Sequence, residues 1–501
     1  MPIIDMRQIT KRFPGVVAND KVDFQVEKQE IHCLLGENGS GKTTLMNVLF
    51  GLYHPEEGEI YVKGEKVRIS NPNDAYKLGI GMVHQHFMLV NQMTVLENII
   101  LGNECGSFFL DRKESEAAVR DLITRFNFKL DLNQKIADLS VGMKQRVEIV
   151  KTLYRGADII ILDEPTAVLT PQEVADLFVI LHQLRRDGKT IIFITHKLNE
   201  TMEMSDSVTV LRKGVKVADL KTRDVNQNDL AAHMVGRQVE HIVSDSVESY
   251  GEVVLSIKDL VLNDKTRIPV NLSVRAGEIL GIAGVEGNGQ QELEELIIGT
   301  MPVRSGKIEI NGQDITSKPV KDRKDLGIGY IPADRHKNAI LSNFSIIENY
   351  LLGYHKDKDY IKNGFIDFRK LESDADRFVT EFNAKVADIG DPISSLSGGN
   401  QQKIVLSREV SHDPILVIAA QPVRGLDIGA IEFIHKTLLR LRHEKKAILL
   451  ISAELSEVMN LSDRIAVLYE GQVSAEFPRG KYNQEQIGLF MAGRTEKEVE
   501  V

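Results

Sequence analysis

The stretch that decides the fold runs from Ile31-His32-Cys33-Leu34-Leu35 through Gly36-Glu37-Asn38-Gly39-Ser40-Gly41-Lys42-Thr43 to Thr44-Leu45-Met46-Asn47-Val48-Leu49-Phe50. A short apolar run, a glycine-rich turn closed by Lys-Thr and a second apolar-periodic run read as buried strand, loop and helix. The glycines let successive backbone N–H groups curl around a polyphosphate, and the helix start at Thr44 adds positive potential. Lys42 can reach the terminal phosphates, and the Thr43 hydroxyl can ligate Mg²⁺. In that setting the pattern implies binding of ATP or GTP; the competing reading is a plain glycine-rich turn.

Downstream, Ile159-Ile160-Ile161-Leu162-Asp163-Glu164-Pro165 is an apolar strand ending in two adjacent carboxylates. Neighbouring strand residues point opposite ways, so Asp163 is expected to face a Mg²⁺ shell while Glu164 is aimed at a water. An in-line water attacking a γ-phosphate needs such an acceptor, worth roughly 10²–10⁴ in rate. The bland reading is an acidic pair opening a solvated loop. A further apolar run, Ile191–Ile194, leads to Thr195-His196, where the histidine is either structural or a γ-phosphate contact.

The chain repeats itself. Gly36–Gly41 has a partner in Gly284-Val285-Glu286-Gly287-Asn288-Gly289, an offset of 284 − 36 = 248. Leu139-Ser140 recurs as Leu396-Ser397 and Pro165 as Pro422, at 422 − 165 = 257, so the second copy carries 257 − 248 = 9 more residues in its middle. Each copy alternates buried apolar runs with amphipathic stretches such as Gln172–Arg186, the pattern of an α/β fold with ligands at the carboxyl ends of parallel strands. The seam is the polar stretch near Gly236–Gly251.

Composition narrows the function. Among 501 residues, 42% are hydrophobic and 27% charged, ample for folded cores. The net charge of −10 argues against a dedicated nucleic-acid binder. The two cysteines, Cys33 and Cys105, cannot make a disulfide framework or a four-ligand metal site and fit a reducing cytosol. The start MPIIDMRQITKRF lacks the features of a signal peptide, and no stretch approaches the ~20 apolar residues a bilayer span needs. A membrane role is therefore expected to come through partners.

Together with Leu396-Ser397-Gly398-Gly399-Asn400-Gln401-Gln402, these residues resemble the ATP-binding-cassette family across nearly the whole chain. The resemblance implies an α/β fold of two tandem nucleotide-binding domains, 1–236 and 252–501, joined by a linker, 237–251. Each would hold a mixed or parallel sheet and a helical subdomain. It implies ATP contacts from Gly36, Asn38, Gly39, Ser40, Gly41, Lys42, Thr43 and Thr44. Phe13 would stack on adenine or serve only as core. Mg²⁺ falls to Thr43, Gln85 and Asp163, and catalysis to Glu164, His196 and Gln85. In the family, the Ser- and Gly-rich helix start of one cassette closes over the γ-phosphate held by the other, which gives ATP contacts to Ser397, Gly398, Gly399, Asn400 and Asp427.

The second copy departs from this pattern. Lys42 and Thr43 become Gln290 and Gln291, Asp163 and Glu164 become Ala420 and Gln421, Gln85 becomes Ala333, and His196 becomes Ala453. Its helix start keeps both glycines, whereas the first copy has Val141 where a glycine should admit phosphate and Thr170 where the second has Asp427. Under head-to-tail pairing every intact element falls into one composite site and every degraded one into the other, which implies a single hydrolytic site. A replacement catalytic set around Glu286 is the competing reading.

A lysine-less second P-loop on a tandem chain is similar to the ATPase subunit of bacterial importers for simple sugars and nucleosides. Val83–Val90, Leu139–Val150 and Arg424–His435 look most like the nucleoside branch; the monosaccharide branch is the alternative. The implied partners are two integral-membrane permease subunits and an extracellular substrate-binding lipoprotein, with the chain peripheral on the cytoplasmic face of the membrane. His86-Phe87-Met88 reads as either a docking surface or a buried corner. A soluble tandem cassette acting on ribosomes or DNA, and a nucleotide-gated scaffold, stay open at this point.

Overall fold

The structure is a computed structural model. It describes residues 2–85, 87–103, 112–126, 128–166, 169, 171–238, 242–245, 249–263, 268–285, 287–481, 483–491 and 493–494. Four residues named above, His86, Cys105, Thr170 and Glu286, lie outside the described residues. The chain divides into two compact units, Met1–Val239 and Glu240–Val501. Described residues of the connecting stretch are stitched into the second unit. Ser244 donates its N–H to Asn460 O at 2.8 Å, and buried Arg442 donates to Asp245 at 2.8 Å while forking onto Asp463 at 2.7 and 2.9 Å.

In the first unit, strand Ile31–Leu35 is buried at every residue because it has parallel neighbours on both sides. The six-stranded sheet runs Val215–Lys221, Ser207–Arg212, Ile31–Leu35, Thr190–Thr195, Ile159–Asp163, Ile80–Val83, with only Val215–Lys221 antiparallel to its neighbour. This explains why three of these strands read as unbroken apolar runs: water reaches neither face. A four-stranded antiparallel sheet, Val16–Val26, Ile4–Phe13, Glu57–Val62, Glu65–Val67, shares a core with the helix Lys42–Leu49. Helices Val95–Ile100, Arg112–Arg125 and Val141–Tyr154 pack on one another as a separate layer.

The second unit repeats this plan. Its larger sheet runs Ile328–Ile331, Leu416–Ala420, Ala447–Ile451, Ile279–Ala283, Arg464–Tyr469, Gln472–Pro478, and its helical layer is Ile346–Leu351, Phe368–Glu381 and Gly398–Val410. The helix starts place the additional residues. The offset is 346 − 95 = 251 at the first helix of this layer, 368 − 112 = 256 at the second and 398 − 141 = 257 at the third. Most of the gain precedes Phe368, where the hairpin Ile361–Lys362 with Phe365–Ile366 stands. Among the described residues, no helix is long and apolar enough to cross a membrane.

Candidate active site

Sheet order in the first unit sets the site. Strands Ile31–Leu35, Thr190–Thr195, Ile159–Asp163 and Ile80–Val83 are consecutive and parallel, so their carboxyl ends bring the glycine loop, His196, Glu164 and Gln85 to one rim.

The loop depends on two left-handed glycines, Gly39 at φ 77° and Gly41 at φ 97°. A Cβ on Gly41 would sit 2.6 Å from Asn19 Nδ2 and collide with Ala18 O, so glycine is required there twice over. Asn19, fully buried, donates to Gly41 O at 3.1 Å and fastens the loop to strand Val16–Val26. Lys42 is 5% exposed, and its ammonium donates to Gly36 O at 2.7 Å and Glu37 O at 2.9 Å. Burial pushes the Lys42 ammonium down, an effect opposed by Glu164 and Asp163. Thr44 is half-buried on the same helix, and the Ser40 hydroxyl is buried with no protein partner.

Thr43 Oγ1 donates to Asp163 Oδ1 at 3.3 Å. Burial pushes the Asp163 carboxyl up to about 6, against the Thr43 bond and with the help of neighbouring Glu164. A buried carboxylate beside a hydroxyl is a hard oxygen pair, and a divalent cation would offset the burial cost, so these residues fit Mg²⁺.

Glu164 departs from the sequence expectation. It does not take its direction from strand alternation, because it leaves the strand in the left-handed region at φ 45°, with its N–H on Ile194 O at 3.0 Å. That turn aims the carboxylate at two donors: Gln85 Nε2 reaches Oε2 at 3.1 Å, and His196 Nδ1 lies 3.1 Å from Oε1. The His196 bond holds the Glu164 carboxyl below its usual range, so it is ionised at neutral pH. Behind His196, Thr195 Oγ1 and Thr166 Oγ1 both donate to buried Glu200, which also pairs with Lys197. Asp163 belongs to the ladder itself, paired with Ile194.

Phe13 ends strand Ile4–Phe13 at 37% exposure, edge-on to Tyr53 with ring centroids 5.3 Å apart, so its ring is available at the surface. Sequence reading missed Asn19 and Glu200. Asn19 lies 22 residues from the loop it holds, and neither sits in a short motif.

In the second unit, Ser397 caps helix Gly398–Val410, accepting from Asn400 N at 3.5 Å and Asn400 Nδ2 at 3.1 Å. Asp427 caps Ile428–His443 and lies 3.0 Å from where a Gly399 Cβ would be, so any side chain there would crowd it. Gly398 meets the Arg335 guanidinium at 2.7 Å by the same test. In the first unit, Ser140 caps Val141–Tyr154 through Met143 N at 3.3 Å, with Val141 39% exposed at the turn. Backbone around Gln421 copies Glu164: φ is 46°, and its N–H reaches Ile451 O at 2.7 Å. The turn is kept where the charge is gone.

Comparison with known proteins agrees with this plan. The pattern of the ABC transporter family matches residues 19–167 and 268–424. The chain is 51% identical over 501 residues to the guanosine import ATP-binding protein NupO of Bacillus subtilis, covering 99% of this chain and 98% of that one. It is 46% identical over 496 residues to the nucleoside import ATP-binding protein NupA of Lactococcus lactis subsp. cremoris, covering 98% of each. It is 42% identical over 527 residues to the glucose import ATP-binding protein TsgD13 of Haloferax volcanii, covering 98% of this chain and 96% of that one.

Proposed function

The chain belongs to the ABC transporter family, as a tandem pair of ATP-binding units, and from that premise we propose that it energises import of nucleosides through membrane permease subunits. The single observation that carries the catalytic assignment is Glu164, ionised and held between Gln85 and His196 at 3.1 Å each, beside the buried Lys42. Lys42 and the loop amides grip the phosphates of ATP. Glu164 accepts the proton of the attacking water, Gln85 aligns the carboxylate, and His196 fixes its other oxygen within reach of the γ-phosphate. Thr43, Asp163 and Gln85 would hold Mg²⁺, which when bound neutralises phosphate charge. Phe13 offers its exposed ring to adenine.

We assign further nucleotide contacts to Ser397, Gly398, Gly399, Asn400 and Asp427 of the second unit, a glycine turn at a helix start beside the Arg335 guanidinium that suits an anion. Gln290, Ala420, Gln421 and Ala453 lack the charge, metal and water functions, which leaves hydrolysis to the first unit's grip. The partners on this reading are two integral-membrane permeases and an extracellular substrate-binding lipoprotein, with the chain on the cytoplasmic face of the membrane. Likeness to NupO and NupA favours nucleosides, whereas likeness to TsgD13 supports a monosaccharide as the second reading. Vesicles carrying the assembled complex decide: ATP-dependent uptake of guanosine supports the first, and uptake of ribose or glucose alone overturns it.

A further inference from the structure

The second unit's phosphate loop is chemically occupied by its own side chains. Gln290 stands at the position of Lys42 and does two things at once. Its Nε2 donates to Val285 O at 3.0 Å, copying the Lys42 bond to Glu37 O. Its Oε1 accepts the N–H of Asn288 at 3.1 Å, a backbone donor of the loop. The carboxamide also fills the space over Gly284, where a Cβ would strike Gln290 Nε2; at Gly36 the nearest obstacles are Leu211 O and Ser40 Oγ. The neighbouring Asn288, at the position of Ser40, ties the loop outward: its Oδ1 accepts Glu470 N at 3.1 Å and its carbonyl accepts Gly471 N at 2.8 Å. In the first unit the Ser40 carbonyl likewise accepts Gly214 N, at 3.1 Å, but the side-chain closure is missing there: Lys42 offers no acceptor and the buried Ser40 hydroxyl has no protein partner.

We propose that the second loop is self-liganded, with the Gln290 carboxamide oxygen in the place of a phosphate oxygen, so that this unit takes up no nucleoside triphosphate through its loop. A phosphate entering would have to break both Gln290 bonds without a lysine to receive it. Gln290 and Asn288 thus act as a built-in plug that keeps the turn and the helix Gln290–Ile298 in one state whatever the ATP level. The inference rests on the first unit being the ATP-binding one, which the test checks separately.

The test is photolabelling of the full chain with 8-azido-ATP, bound in the dark on ice to limit hydrolysis and then irradiated, followed by peptide mapping. Label on first-unit peptides, with any second-unit label confined to the Ser397–Asp427 region assigned above, is expected, and label on the second unit's own loop region, Val253–Ile298, overturns the proposal. Label on the second unit alone would overturn the functional reading as well, since Lys42 would then be idle. Gln290→Lys removes the acceptor and restores an ammonium, and it should raise second-unit labelling about tenfold. Thermal unfolding of the second unit at the native temperature confirms that the variant is folded there, so unchanged second-unit labelling shows that Gln290 is not the plug.

Discussion

Replacing Glu164 by Gln exchanges one carboxylate oxygen for an NH2 with almost no change in volume. The native carboxylate accepts from Gln85 at 3.1 Å and lies 3.1 Å from His196 Nδ1, and the amide can satisfy only one of these as acceptor. It also has no charge with which to draw a proton from water. Loss of a positioned base costs about 10²–10⁴ in rate, or about 2.7–5.4 kcal/mol of barrier at 1.36 kcal/mol per factor of ten. The fold should tolerate it, because Gln421 already occupies the same left-handed turn in the second unit, at φ 46° against 45°. Phosphate release by the assembled complex should therefore fall by two to four orders of magnitude, while ATP affinity measured by equilibrium binding does not fall. Turnover within threefold of the native rate would refute the role given to Glu164 and the argument from geometry behind it.

Lys42→Ala should weaken ATP binding about 10- to 100-fold in a fluorescence titration, the equivalent of one charge-assisted hydrogen bond. Gly41→Ala forces a Cβ toward Asn19 Nδ2 at 2.6 Å at φ 97°, so it should abolish nucleotide binding while the thermal unfolding of the second unit is unchanged. Glu294, 6% exposed in the second unit, has its carboxyl pushed up to about 7, chiefly by burial and then by Glu295. Because the native state holds that proton more tightly than the unfolded chain does, stability should fall as pH rises from about 4.5 to about 7. Glu294→Gln should remove this loss and raise stability at pH 8 by up to about 3 kcal/mol, read from denaturant unfolding at pH 5 and pH 8.

Much of the candidate site was legible because its residues are local: Gly36 to Thr43 is one loop, and Asp163-Glu164 are adjacent at a strand end. The α/β plan was legible for a related reason, since strands buried on both faces leave unbroken apolar runs. What was not legible depends on contacts between segments far apart in sequence. The direction of Glu164 comes from a left-handed turn braced on Ile194 O, not from strand alternation. Asn19 acts on Gly41 from another sheet. Gln290 read as a missing lysine, and only its bonds to Val285 and Asn288 reveal a group that replaces both cation and anion. Likewise, the polar stretch before Val253 read only as a linker, and its bonds, Arg442 to Asp245 and Ser244 N to Asn460 O, join residues about 200 positions apart.

The most direct measurement is the number of ADP molecules trapped by vanadate per chain in the assembled complex. Hydrolysis by the first unit's grip alone predicts one ADP per chain, and none after Lys42→Ala. Two per chain, or trapping that survives Lys42→Ala, would contradict it.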